Sequence, residues 1–333
     1  MFNISRFSKS SWHQQVARQD PDALYAPHFD AKRGRYFNPW YINEKNWRDI
    51  IKFFLEKNRY QPSYHDVPTH STSSWHPNFS SDASLTMLGH SSLALQINSK
   101  LLLLDPFLSK YAFNIKRCQS PAIDIQALPD NSIVIISHNH YDHLDKSTIT
   151  RLSQATFICP LGVGSLLSRW GAQKIYELDW WQDFFYDDIK FICLPAHHWS
   201  RRLNQGTNRS LWSSWLLEVN GHRIYFGGDS AYFVGYREFG RCFPGIDLAL
   251  LPCGAFAPRW FMHQSHLDVE EMFMAFNDMQ ARHLVPIHWG SIMLGHEPAC
   301  EPFFLIKRYL QENPELAQRV HSLNVADSLI LWP

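Results

Sequence analysis

The chain has 333 residues, 45% hydrophobic and 19% charged, enough apolar material for a large buried core and too little charge for global disorder. Lys plus Arg and Asp plus Glu each number 31, so the formal charge is zero, which argues against nucleic-acid binding through bulk basicity. Six cysteines without a CxxC pair make no disulfide framework, no apolar signal segment opens the chain, and no run reaches 18 apolar residues; a cytoplasmic chain without signal peptide or transmembrane helix is expected.

Residues 1–80 read as an arm that is polar, aromatic and rich in turns. One helix is expected there, at about Asn46–Lys57, with Trp47, Ile50, Ile51, Phe54 and Leu55 on one face and Asn43 as its cap. The remainder of the arm wraps a core built elsewhere. Phe2, Ile4, Phe7 and Trp12 stand beside Arg6 and Lys9, with Lys32, Arg33 and Arg35 further on. Such a set suits peripheral contact with an anionic membrane surface; an ordinary frayed terminus is the plainer alternative.

Residues 81–333 form the second unit. SLTMLGHSSLALQINSKLLLLDPF reads as short strands with tight turns, and NSIVIISH as a buried strand. Helical signals follow at Lys146–Ser153 and Gly164–Trp170. TFICP, KIYEL, IKFICLP, SSWLLEV, HRIYFGGD, DLALLP and HLVPIHW read as further strands. A helix over Asp268–Gln280 opens with Asp268, Glu270 and Glu271, which suits the helix dipole, and another spans Pro302–Gln311. Strands outnumber helices, and helices fall between groups of strands, so a layered α/β body is expected.

The chemistry concentrates in SHNHYDHLD, residues 137–145. It places His138, His140, Asp142 and His143 at the end of a buried strand, where α/β proteins put their sites. Imidazole and carboxylate together suit zinc or iron. Four groups this close cannot all bind one ion. The two histidines at i and i+2 can serve one, while Asp142 and His143 point to a second. Partners follow later strands: His197 and His198 in LPAHHWS, Asp229 in IYFGGDS, His288 in VPIHWGS. Spacing does not choose between His197 and His198.

HxHxDH followed by His, Asp and His after successive strands resembles the metallo-β-lactamase-fold hydrolases. FNPW, TMLGHSS, LLLDPF, ELDWW, HWSRR, FGGDSAY, GAFAPRWFM, HLDVEE and IHWG, in order over about residues 35–300, resemble the N-acylphosphatidylethanolamine-hydrolysing phospholipases D and their bacterial relatives. The resemblance implies a four-layer αββα sandwich and two Zn2+ ions, with iron or manganese as alternatives. His138, His140 and His198 would hold the first ion, Asp142, His143 and His288 the second, and Asp229 would bridge them. The residue before the family's second-strand histidine is usually Gln; here it is His197. Tyr141 and His266 match family positions near the substrate, and Glu297 keeps a family acid.

That resemblance implies hydrolysis of an N-acylated phospholipid to an N-acylethanolamine and phosphatidic acid by a hydroxide shared between the ions. Asp142 would orient the attacking water. His266 would bind the phosphate or aid the leaving group; alternatively it caps the helix starting near Asp268. Trp180 and Trp181 are expected in the core, while Trp260 and Phe261 could line an acyl-chain groove. Arg201, Arg202 and Arg259 could meet a phosphate, or serve as solvated charges or ion pairs. The competing functions are a lactonase or another phosphodiesterase on the same fold, and a non-enzymatic membrane-surface protein holding a structural metal. A nucleic-acid partner is not expected, and a homodimer is compatible with the sequence.

Overall fold

A strand buried along both faces needs cover on both sides, and Lys100–Leu104 is such a strand: Leu101 to Leu104 are each at most 3% exposed. In the computed structural model, which describes residues 7–41, 47–56, 75–78 and 83–332, Leu102 and Leu104 join a core shared by two sheets. Leu101 and Leu103 pack instead with Ile149, Leu166 and Leu167, on helices Lys146–Arg151 and Gly164–Arg169. The alternation of one strand thus sets two layers.

The first sheet runs Lys174–Leu178, Thr156–Pro160, Ile133–Ile135, Lys100–Leu104, Ser92–Ile97, Ala83–Gly89, Ser328–Trp332. Its first four strands are parallel and the rest antiparallel. The second runs Asp183–Tyr186, Ile189–Leu194, Ser214–Val219, His222–Phe226, Leu248–Pro252, His283–Ile287, and its last three strands are parallel. Helices Gly235–Cys242 and Val269–Asp278 cover its outer side through Tyr236, Phe239, Phe273 and Phe276. The outcome is an αββα sandwich, the metallo-β-lactamase architecture.

The helix Val269–Asp278 starts where its acids predict: Asp268 accepts from the Glu271 amide while Glu271 reaches back, a reciprocal capping box. Helix Gly235–Cys242 was not legible, because GYREFGRC holds two glycines and forms only through packing of Tyr236 and Phe239. The edge strands Asp183–Tyr186 and Ser328–Trp332 were also not expected; neither contains a fully buried residue.

In the arm, helix Lys9–Ala17 is capped by Ser8 and buries Trp12 and Val16. Trp12 is 3% exposed and packs edge-on against Tyr41, His197 and His263. Phe7 lies against His263, and Lys9 pairs with Asp268 and Glu270. Phe7 and Trp12 are therefore engaged by the body of the protein, not offered to lipid; Phe2, Ile4 and Arg6 lie outside the described residues. Helix Lys9–Ala17 was not expected; the one expected in the arm is present as Trp47–Leu55, with none of its residues buried, and its expected cap Asn43 lies outside the described residues. No helix among the described residues is long and apolar enough to cross a membrane.

Candidate metal centre

The C-terminal ends of strands from both sheets converge at one place. His138 and its neighbours follow Ile133–Ile135, His198 follows Ile189–Leu194, Asp229 follows His222–Phe226, and His288 follows His283–Ile287. Between strand and Asp229, Gly228 has φ +55, and a Cβ there would lie 2.6 Å from that of Ser137. Only glycine lets the two strand ends approach this closely.

Two groups of ligand atoms result. In the first, His138 Nε2 lies 2.8 Å from His140 Nδ1, which is 3.2 Å from His198 Nε2, and Asp229 completes the set. Ligands about 2.0–2.1 Å from a tetrahedral ion stand roughly 3.3 Å apart, so this spacing suits a metal. The second group comprises His90, Asp142, His143 and His288. Asp229 touches both. Its Oδ2 is 3.8 Å from His138 and 3.7 Å from His198, but also 3.2 Å from His143 Nε2, while its Oδ1 is 3.1 Å from His288 Nε2. The Nε2 atoms of His143 and His288 are buried and make no well-formed hydrogen bond.

The electrostatics suit the same reading. Burial, with the neighbouring rings, holds His138 well below the usual histidine range; burial does the same to His198. Burial pushes Asp142 and Asp229 up, but His143 and its neighbours outweigh that and hold both well below the carboxylate range. His143 and His288 go the other way: burial lowers them, yet the carboxylates win, taking His288 to about 9. The site therefore calls for positive charge beside Asp142 and Asp229. A cation bound by neutral rings would supply it.

Outer partners aim these rings. Asp105 accepts from His143 Nδ1 at 2.6 Å and from the Ser137 amide at 2.7 Å. His198 Nδ1 donates to the Ser265 carbonyl at 2.9 Å, leaving Nε2 for the site. His90 Nε2 lies 3.0 Å from Asp142. Asp105 and His90 were not singled out from the sequence, although LLLDPF and TMLGHSS contain them. Arg202, almost wholly buried, donates to the Asn139 and Leu144 carbonyls and so braces the HNHYDH loop.

The other expected residues divide. His197 is turned toward the arm: its Nδ1 accepts from Trp40 Nε1 at 3.1 Å, and it is in no cluster of ligand atoms. Replacing His197 by Gln is thus expected to leave metal content near normal, whereas His198→Gln empties the first group; metal analysis of both purified variants reads this, and the opposite pattern would transfer the ligand to His197. His266 sits at the site, with Nδ1 3.9 Å from Asp229, and Asp268 takes the helix-capping position instead. Tyr141 stands on the rim, under the Arg202 guanidinium at 4.1 Å. Arg259 takes the ion-pair alternative: it pairs with Glu271 at 2.6 Å and donates to the His266 carbonyl. Trp260 is tied to the arm helix through Glu56 and Lys52.

Comparison with known proteins agrees with this geometry. Residues 101–289 match the β-lactamase superfamily domain. An uncharacterized protein of Mycobacterium tuberculosis is 37% identical over 231 residues, 66% of this chain and 61% of that protein. The mitochondrial N-acyl-phosphatidylethanolamine-hydrolyzing phospholipase D of Saccharomyces cerevisiae is 35% identical over 234 residues, 65% of this chain and 49% of that protein. The chain thus spans less than two thirds of either relative. A metallo hydrolase from the archaeon Ignicoccus hospitalis shares the fold, with TM-score 0.54 and 19% identity over 74% of this chain and 97% of that one.

Proposed function

The chain belongs to the β-lactamase superfamily of metal-dependent hydrolases, and from that premise we propose that it is a binuclear zinc phosphodiesterase of phospholipase D type. Its substrates would be N-acylphosphatidylethanolamine-like phospholipids. The observation that carries this reading is Asp229, one carboxylate placed against both groups of ligand atoms. The substrate class is supported by the similarity to the yeast phospholipase D.

His138, His140 and His198 would hold one ion, Asp142, His143 and His288 the other, and Asp229 both. Two ions held there would supply Lewis acidity for a phosphodiester and a source of hydroxide at neutral pH. Asp105 and the Ser265 carbonyl fix the tautomers of His143 and His198, so their Nε2 lone pairs face inward. Asp142, held by His90, would orient the attacking water. His266, whose ring centroid is 5.5 Å from that of His288, would hydrogen-bond the phosphate or protonate the departing alkoxide. Water adds across the P–O bond, giving phosphatidic acid and an N-acylethanolamine.

The test is turnover of an N-acylphosphatidylethanolamine in detergent micelles, with products read by mass spectrometry. Equimolar phosphatidic acid and N-acylethanolamine are expected, lost with chelator and restored by zinc. Cleavage of a lactone panel with no lipid turnover would overturn the reading.

A further inference from the structure

Three parts of the rim around the metal centre expose large apolar side chains. The arm helix Trp47–Leu55 is the first. At 100° per residue, Trp47, Ile50, Ile51, Phe54 and Leu55 lie within an arc of about 140°, and Phe54 and Leu55 are 78% and 79% exposed. The opposite face holds the helix to the body: Phe53 stacks on Phe261 and His296 at 4.7 and 4.8 Å, and Glu56 accepts from Trp260. Trp260 belongs to the turn of helix that leads to His266.

Two hairpins are the others. Tyr111–Lys116 carries Phe113, 61% exposed, and Ile115, and Arg201–Thr207 carries Leu203, 70% exposed. Both meet Tyr141, which stands between His140 and Asp142: the Phe113 ring is 5.0 Å from it, and the Leu203 amide donates to its hydroxyl. Ile292 and Leu294, after His288, share a small apolar cluster with Tyr141. Helix and hairpins therefore flank the same opening.

The loops of this rim carry cations without acids, while the helix balances Asp49 and Glu56 with Arg48 and Lys52. No Asp or Glu occurs between Pro106 and Ile123, Pro195 and Ser213, or Gly254 and Leu267, in a chain whose formal charge is zero. Lys110, Lys116 and Arg201 are exposed beside the apolar tips. Apolar side chains that can insert, with hairpins that carry cations and no acids, match an anionic lipid bilayer. A second copy of this chain fits poorly, because a two-fold interface would set these cations against themselves.

We propose that the helix Trp47–Leu55 and the two hairpin tips form the surface by which the chain docks on an anionic bilayer, with the metal centre facing the lipid. This rests on the phospholipid reading above and specifies how the site would reach its substrate. The anchor is then this rim and not the N-terminal residues Phe7 and Trp12.

The test uses the full chain and vesicles of phosphatidylcholine and phosphatidylglycerol without N-acylated lipid, so binding is read without turnover. The wild type is expected to co-sediment at low salt and to release as salt rises. Phe54→Ser/Leu55→Ser and Ile115→Ser/Leu203→Ser should each weaken binding about tenfold or more, with the thermal midpoint as the folding control. Phe185→Ser, which removes a residue 64% exposed on the edge strand Asp183–Tyr186, should bind as the wild type does. Unchanged binding in both pairs, equal loss in Phe185→Ser, or a dimer that either pair converts to monomer while vesicle binding persists would overturn the proposal. Micelle turnover is read separately: docking without phosphatidic acid release would sink the phospholipase reading alone, and release without docking would sink the surface alone.

Discussion

Asp229→Ala is expected to abolish hydrolysis and to leave fewer than two metal ions per chain. The carboxylate is 3% exposed and stands within 3.8 Å of His138, His143, His198 and His288. Asp105 also groups with a ring from each set, His138 and His143, but among the ligand rings it hydrogen-bonds His143 alone. Losing an outer partner of a metal-bound histidine costs about 10–100-fold in affinity or activity, and a carboxylate shared by both ions should exceed that. Asp105→Asn provides the scale: its one hydrogen bond to a ligand ring is to His143, and it should fall in the 10–100-fold range with both ions retained at saturating zinc. Metal analysis beside turnover separates the two. Near-normal activity with two ions in Asp229→Ala would remove the bridging role.

How much of this was legible depends on distance along the chain. HNHYDH is contiguous and follows one strand, so its ligands could be read directly. Asp229 and His288 each end an apolar run, and the strand-end rule located them; it left His197 and His198 open, and the family resemblance chose His198. Asp105 and His90 are different. Asp105 lies 38 positions before His143 and meets it only because Lys100–Leu104 pairs in parallel with Ile133–Ile135. His90 lies 52 positions before Asp142. Their local signal is backbone geometry: His90 and Asp105 have φ of 62 and 39, as does His288 at 67. Positive φ in a non-glycine residue is uncommon and gathers at functional sites, but sequence alone does not display it. The arm failed for a related reason. Trp12 beside Lys9 reads as an interfacial pair until Asp268 and His263, some 250 positions later, claim both. Conversely, the apolar face of Trp47–Leu55 was visible as a pattern, while its exposure was not.

Arg259→Ala is expected to destabilise the fold rather than to weaken substrate binding alone. Glu271 is fully buried, and its carboxylate lies 2.6 Å from Arg259 and 3.1 Å from His13. Removing the guanidinium leaves a buried carboxylate with one titratable partner, a change that costs about 3–5 kcal/mol. For a chain of this length that is a fall of roughly 4–7 °C in the thermal midpoint. The same arginine donates to the His266 carbonyl, so the loop at the metal centre should loosen with it. Arg259→Ala/Glu271→Gln should recover much of the midpoint, because the amide no longer carries a charge. Calorimetry of the two variants reads the stability, and KM against kcat reads the site. A raised KM with an unchanged midpoint would mean that Arg259 meets substrate after all. The expected pattern is the reverse, with the midpoint lowered and partly rescued by the second substitution, since the arginine spends its charge on Glu271 and its Nη1 hydrogen bond on the loop that positions His266.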